Sequence, residues 1–154
     1  MTRIALVLAL MAAPAFAQDS AATVTPCGDA TRADTIAEPW EDNSRTFSNG
    51  AVRIAKLDVG EPAFGGFFLL VLSPPYGELG ERQCRVLTLP ETSGFAGIDF
   101  DRLEAAYDPS VGLMFTVPVR VFAMTDTVEP VGAMLKFSLN QATGAISPRL
   151  ELGD

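Results

Sequence analysis

Two stretches near the C-terminus alternate apolar and polar residues with a period of two. In "GLMFTVPVRVF", residues 112–122, Leu113, Phe115, Val117, Val119 and Val121 share one parity. In "GAMLKFSLN", residues 132–140, Ala133, Leu135, Phe137 and Leu139 share one parity, with Met134, Lys136 and Ser138 on the other. Successive side chains of a strand point to opposite faces, so each stretch predicts a strand with one buried and one open face. The two should pair antiparallel across the Thr125 to Pro130 loop. Pro118 lies on the open parity and marks an edge strand or a bulge, because proline gives a ladder no donor.

A different pattern fills residues 67–72, "FFLLVL", which are apolar without alternation. This predicts a central strand buried on both faces, or one whose outer face lies under a loop or helix. Six residues do not cross a bilayer even as a tilted strand, which needs about 9 to 11. Pro74-Pro75 is expected to end the strand, and another follows at 84–89. Upstream, Asn49-Gly50 separates 44–48 from 51–58 and predicts a hairpin with a type I′ turn. The phase change from Val52 and Ile54 to Leu57 and Val59 suggests a bulge in the second of these strands. In "IDFDRLEAAYDP", Phe100, Leu103 and Tyr107 fall near one helical face. Asp101 and Glu104 have the spacing of a capping box, and Pro109 supplies a stop, so a short helix is predicted over about 101–107.

At the C-terminus Gly144 is placed to take the left-handed position of a hairpin with a G1 bulge. The seven residues from Asn140 to Ile146 resemble hairpins of cadherin-like and bacterial immunoglobulin-like repeats, which implies a hairpin and no function. The whole pattern predicts a mainly β, single-domain antiparallel sandwich or partly open barrel, with about seven strands and one short helix.

Composition changes the picture at the N-terminus. Arg3, the apolar run 4–13, Pro14 and the small-x-small triplet Ala15-Phe16-Ala17 predict a secretory signal, residues 1–17, cleaved between Ala17 and Gln18. The run is too short for a membrane span of about 20 residues, so no span is expected in the mature chain. An acidic, irregular leader is expected over 18–42 and a β-rich domain over 43–154. The chain has 11 basic and 19 acidic residues, a net charge of −8. Such a balance disfavours nucleic acid and anionic lipid as partners and leaves a cationic protein or envelope component as the expected class. In an oxidising periplasmic or secreted location, Cys27 and Cys84 are expected to form a disulfide that pins the leader.

The sequence has no histidine, which excludes Ser-His-Asp and Cys-His nucleophile systems. It has no Walker loop or dinucleotide fingerprint, and close cysteine spacing is absent, so neither cofactor nor metal is expected. Asp99 and Asp101 are accounted for by the predicted helix start, through charge and capping. Trp40, Tyr76, Glu78 and Glu81 form the candidate binding surface. Trp40 is expected mainly as a plug at the edge of the core, with an aromatic anchor as the alternative. Tyr76 is expected to fold back over the sheet end. These readings favour an exported, noncatalytic binding or interaction module of the bacterial periplasm or exterior. A carboxylate-dependent hydrolase of envelope glycans, using Glu78, Glu81, Asp99 and Asp101, is one alternative, and a structural envelope protein is another.

Overall fold

The computed structural model describes residues 22–60, 65–90, 93–122 and 129–153. The predicted signal segment with Ala17 and Gln18, and most of the 125–130 loop, lie outside these residues. Among the described residues ten strands, rather than the expected seven or so, form two antiparallel five-stranded sheets. In the first sheet, β1 (Thr23–Pro26), β5 (Arg82–Thr88), β4 (Phe67–Tyr76), β3 (Val52–Asp58) and β2 (Ser44–Phe47) lie side by side in that order. The second is ordered β10 (Ile146–Leu152), β9 (Pro130–Leu139), β8 (Gly112–Phe122), with both β6 (Gly97–Ile98) and β7 (Glu104–Asp108) along the far side of β8. The two sheets pack face to face as a sandwich.

The alternation seen in the sequence builds the core between the sheets. Leu113, Phe115, Val117, Val119 and Val121 of β8 and Ala133, Leu135, Phe137 and Leu139 of β9 are all buried, facing Val52, Ile54, Leu69, Val71 and Leu87 of the first sheet. Phe115 stacks on Phe137 and meets the edge of Phe47, with ring centroids 4.9 and 5.0 Å apart. Each such fully buried side chain contributes about 1.5–3 kcal/mol.

The unalternating run has the origin expected of it. β4 is the central strand of the first sheet, and part of its outer face lies under a strap of chain that packs Cys27 and Ile36 against it. Cys27 is bonded to Cys84 of β5, with Cα atoms 5.4 Å apart, and from there the chain crosses to the opposite side of the sheet. At that side Ile36 bridges Leu57, the Ala37 N–H donates to the Lys56 carbonyl, and the Lys56 N–H donates to that of Asn43. Cys27 and Ile36 of this strap and the sheet's Phe68, Leu72 and Cys84 pack around buried Ala55, Leu57 and Leu70 in a second, smaller core. Residues 23–26, expected within an irregular leader, form the edge strand β1, and two 3-10 turns follow at Asp29–Thr31 and Ala33–Thr35.

Several local expectations are corrected. No helix occupies 101–107. Phe100–Arg102 is a 3-10 turn whose start has no side-chain cap, and Glu104–Asp108 is strand β7. Phe100 and Leu103 are buried through the tight turn, whereas Tyr107 is 65% exposed, so the three do not share a buried face. Asp108-Pro109-Ser110-Val111-Gly112 instead closes a hairpin. Proline follows aspartate as a type I turn favours, the Val111 N–H donates to the Asp108 carbonyl, and Gly112 has a φ of +113°. Strand β3 has no bulge. Its pairing with β4 is continuous, and the phase change reflects burial on both faces. The Asn49-Gly50 hairpin uses the longer loop Ser48–Ala51, with Ser48, Asn49 and Gly50 all at positive φ. Pro74-Pro75 does not end β4, which continues to Tyr76 after a shift of register beyond Ser73.

Pro118 lies in neither an edge strand nor a bulge, since β8 is paired with β9 along its length. On its other side β6 and β7 are separated by the 99–103 turn, and the Asp99 N–H donates to the Pro118 carbonyl. A residue's N and C=O leave an extended strand on the same side, so the missing donor of Pro118 faces this interruption rather than a ladder.

Candidate interaction surface

The outward faces of the two sheets differ, and the second is open. The paired registers of β7, β8, β9 and β10 align their outward residues in rows across the sheet. One row runs Glu104, Thr116, Lys136, Arg149, and the next Ala106, Met114, Ser138, Ser147. Small side chains in the second row leave a shallow trough of about 610 Å³ bordered by the charges of the first. Glu151 adds a further acid, held to Lys136 by an Nζ–Oε2 contact of 2.6 Å. Both partners are nearly half exposed, so the pair adds little stability. Met114 supplies a 36% exposed apolar contact in the middle of this polar surface.

At the β7 margin, Asp108 holds its hairpin by accepting hydrogen bonds from the Ser110 hydroxyl (2.6 Å) and the Ser110 N–H (2.8 Å). The hydroxyl bond, then the backbone bond, draws the Asp108 carboxyl below its ordinary value near 3.8 by favouring the ionised form.

The four residues expected to form a binding surface do not come together as one. Trp40 does not plug the core. It is 49% exposed on the turn from Pro39 to Asn43, and the Asn43 carbonyl at the end of that turn accepts from the Lys56 N–H. Lys56 pairs with Leu69, seven residues along β4 from Tyr76, a distance of about 20 Å at the rise of a strand. Tyr76 is 53% exposed rather than folded over the sheet end, and it shares the β4–β5 hairpin tip with Glu78 and Glu81. Glu81 is committed to that tip, its Oε2 accepting from the Leu79 N–H at 3.1 Å.

Asp99 and Asp101 lie in the turn between β6 and β7. The Asp99 carboxylate lies 4.0 Å from the Arg102 guanidinium, while the backbone carbonyls of Asp101 and Leu103 accept from Arg45. None of Glu78, Glu81, Asp99 and Asp101 lines the trough, nor the second hollow of about 350 Å³ near Asp58, Gly60 and Phe67. Among the described residues, no three His, Cys, Asp or Glu side chains gather as a metal cage would require.

The residues of the trough went unmarked in the sequence because each is ordinary by itself. The alternation identifies Thr116, Lys136 and Ser138 as outward, but only the strand register shows that they align with Glu104 and Arg149. Among the described residues no helix is long and apolar enough to cross a membrane. Comparison of the chain with protein-family models, curated proteins and solved structures found no match.

Proposed function

We propose that the chain is an exported, noncatalytic interaction module of the bacterial periplasm or cell exterior, and that the outward face of its second sheet is the contact surface. The observation that carries this reading is the asymmetry of the sandwich. One outer face is partly covered by the protein's own chain, whereas the other presents a trough edged with Glu104, Lys136, Arg149 and Glu151. The disulfide fits an oxidising compartment, and the N-terminal pattern ending at Ala17 supports export. None of Glu78, Glu81, Asp99 and Asp101 lines either hollow, which favours binding over glycan hydrolysis.

The test is affinity capture from a periplasmic extract of the producing cell, with Thr116→Arg and Ser138→Arg placed to fill the trough. A specific protein should be retained by the native chain, released at high salt and lost with both variants while their circular dichroism is unchanged. Retention by both variants would rule out this face, and an extract that yields no specific protein would count against an interaction role. Export is tested separately, by whether the mature N-terminus begins at Gln18.

A further inference from the structure

We propose that β7 is a docking edge that takes up an extended basic segment of a partner protein as an additional strand of the second sheet. The inference rests on the interaction reading above and names the partner's chemistry.

The sandwich's other outermost strands are blunted in ways that β7 is not. β10 carries Pro148 within it, β1 has only four residues and ends at Pro26 beside the disulfide, β2 has four residues, and β6 has two. Short length and proline are the ordinary protections of an edge strand. β7, "EAAYD", has five residues without proline, lysine or bulge, and four of them are exposed. Among the described residues, it is paired with β8 alone.

The free side of β7 can be read from its hairpin. The Asp108 carbonyl accepts from Val111, so it points towards β8. Peptide groups alternate sides in an antiparallel ladder, so those of Ala106 and Glu104 also point to β8, and those of Ala105 and Tyr107 point outward. An added strand would therefore hydrogen-bond at Ala105 and Tyr107. Glu104, Ala106 and Asp108 would occupy the non-bonded positions, where facing side chains come closest.

This geometry selects the occupant. Antiparallel pairing of two copies about Ala106 sets Glu104 against Asp108 of the other chain at both ends, and facing like charges are destabilising. The net charge of −8 adds long-range repulsion between copies. A strand with Lys or Arg at two positions four apart instead places one cation opposite each acid, on the same face as the trough. Its intervening small or β-branched residues would lie against Ala105, Ala106 and Tyr107, the mode in which main-chain bonds give affinity and alternate side chains give specificity.

A suitable probe is a seven-residue synthetic peptide with lysine at its second and sixth positions, valine at its third and fifth and threonine elsewhere. It is compared with the same peptide carrying glutamate in place of lysine. The lysine probe should slow hydrogen exchange at the Ala105 and Tyr107 amides, bind roughly tenfold more tightly than the glutamate probe and weaken with salt. Glu104→Lys should reduce its affinity about three- to tenfold, and Asp108→Asn, which keeps an acceptor for Ser110, by less.

Unchanged exchange at both amides under saturating probe, or equal affinity for the two peptides, would overturn the proposal. If the probe instead perturbs Ser138, Ser147 and Arg149 without touching Ala105 and Tyr107, docking at this edge is refuted and the outward face remains the contact surface. If neither region responds while extract capture still depends on Thr116 and Ser138, the edge inference fails independently of the broader reading.

Discussion

The two outer faces of this sandwich are built from opposite materials. On the first sheet, Ala55, Leu57 and Leu70 point away from the central core yet are buried, in a cluster to which Cys27 and Ile36 of the strap contribute. On the second, the equivalent positions hold Thr116, Lys136, Ser138, Ser147 and Arg149, and no described segment covers them. A strand with both faces covered loses its alternation, and one with an open face keeps it. The contrast between "FFLLVL" and "GLMFTVPVRVF" therefore records which side of the molecule is sealed by its own chain and which is left to solvent or a partner.

The strongest way to break this contrast is to remove the tie that holds the roof. Cys84→Ser, or reduction, should lower unfolding stability by about 4 kcal/mol on the loop-entropy account for the 57-residue separation. It should also raise the binding of a hydrophobic dye, as the face around Leu57 and Leu70 becomes accessible. Denaturant titration of the oxidised and reduced protein checks the first outcome and dye fluorescence the second. Unchanged stability would mean that the strap is held by its packing and bridge bonds rather than by the disulfide.

Next in size is a matched pair of truncations on the two outward faces. Leu57→Ala removes a fully buried side chain under the strap and should cost about 3 kcal/mol. Thr116→Ala, on the open face, should change stability by less than about 0.5 kcal/mol. Thermal or denaturant unfolding of both variants measures the difference directly. Similar costs for the two would contradict the assignment of one face as sealed and the other as free.

What the sequence made legible follows the same division. The strands β8 and β9, their antiparallel pairing and their inward residues were readable because burial on a single face imposes a strict period of two. The central position of β4 and the disulfide were readable from an apolar run and a pair of cysteines. The 100–108 segment was not, because Phe100, Leu103 and Tyr107 imitate helical spacing while the hairpin signal lay in Asp108-Pro109 and Gly112. The trough was equally hidden. Its rows join residues up to 45 positions apart, from Glu104 to Arg149, and only the register of four strands makes them neighbours. Trp40 misled for a related reason, since its size suggested a core plug and the strap had already supplied Ile36 for that purpose.

Within the open face, Lys136 and Glu151 give a smaller test. If that surface is as solvated as its exposure indicates, a double-mutant cycle on the pair should return a coupling of about 0.2–1 kcal/mol that declines with added salt. A larger, salt-insensitive coupling would mean that the pair is shielded from solvent and that the face is more closed than the first sheet's contrast implies.

The smallest expected effect lies at the margin of the open face, where order comes from local bonds rather than from covering chain. Asp108 is ionised more readily in the folded protein than in an unfolded chain, chiefly because the Ser110 hydroxyl donates to it and secondarily because the Ser110 N–H does. A carboxyl whose folded pKa is lowered adds stability that is fully present above its ordinary value near 3.8. That contribution is lost as pH falls through the folded value. Ser110→Ala removes the hydroxyl bond and leaves the backbone bond, so Asp108 should titrate at higher pH than in the native protein while staying below the ordinary value. Carboxyl carbon shifts followed by NMR between neutral and strongly acidic pH measure the displacement, and an unchanged Asp108 midpoint would show that the hydroxyl does not set it. Exchange at the Tyr107 amide, followed at neutral pH in the same variant, then reports whether this hairpin bond also keeps the free edge of β7 in register.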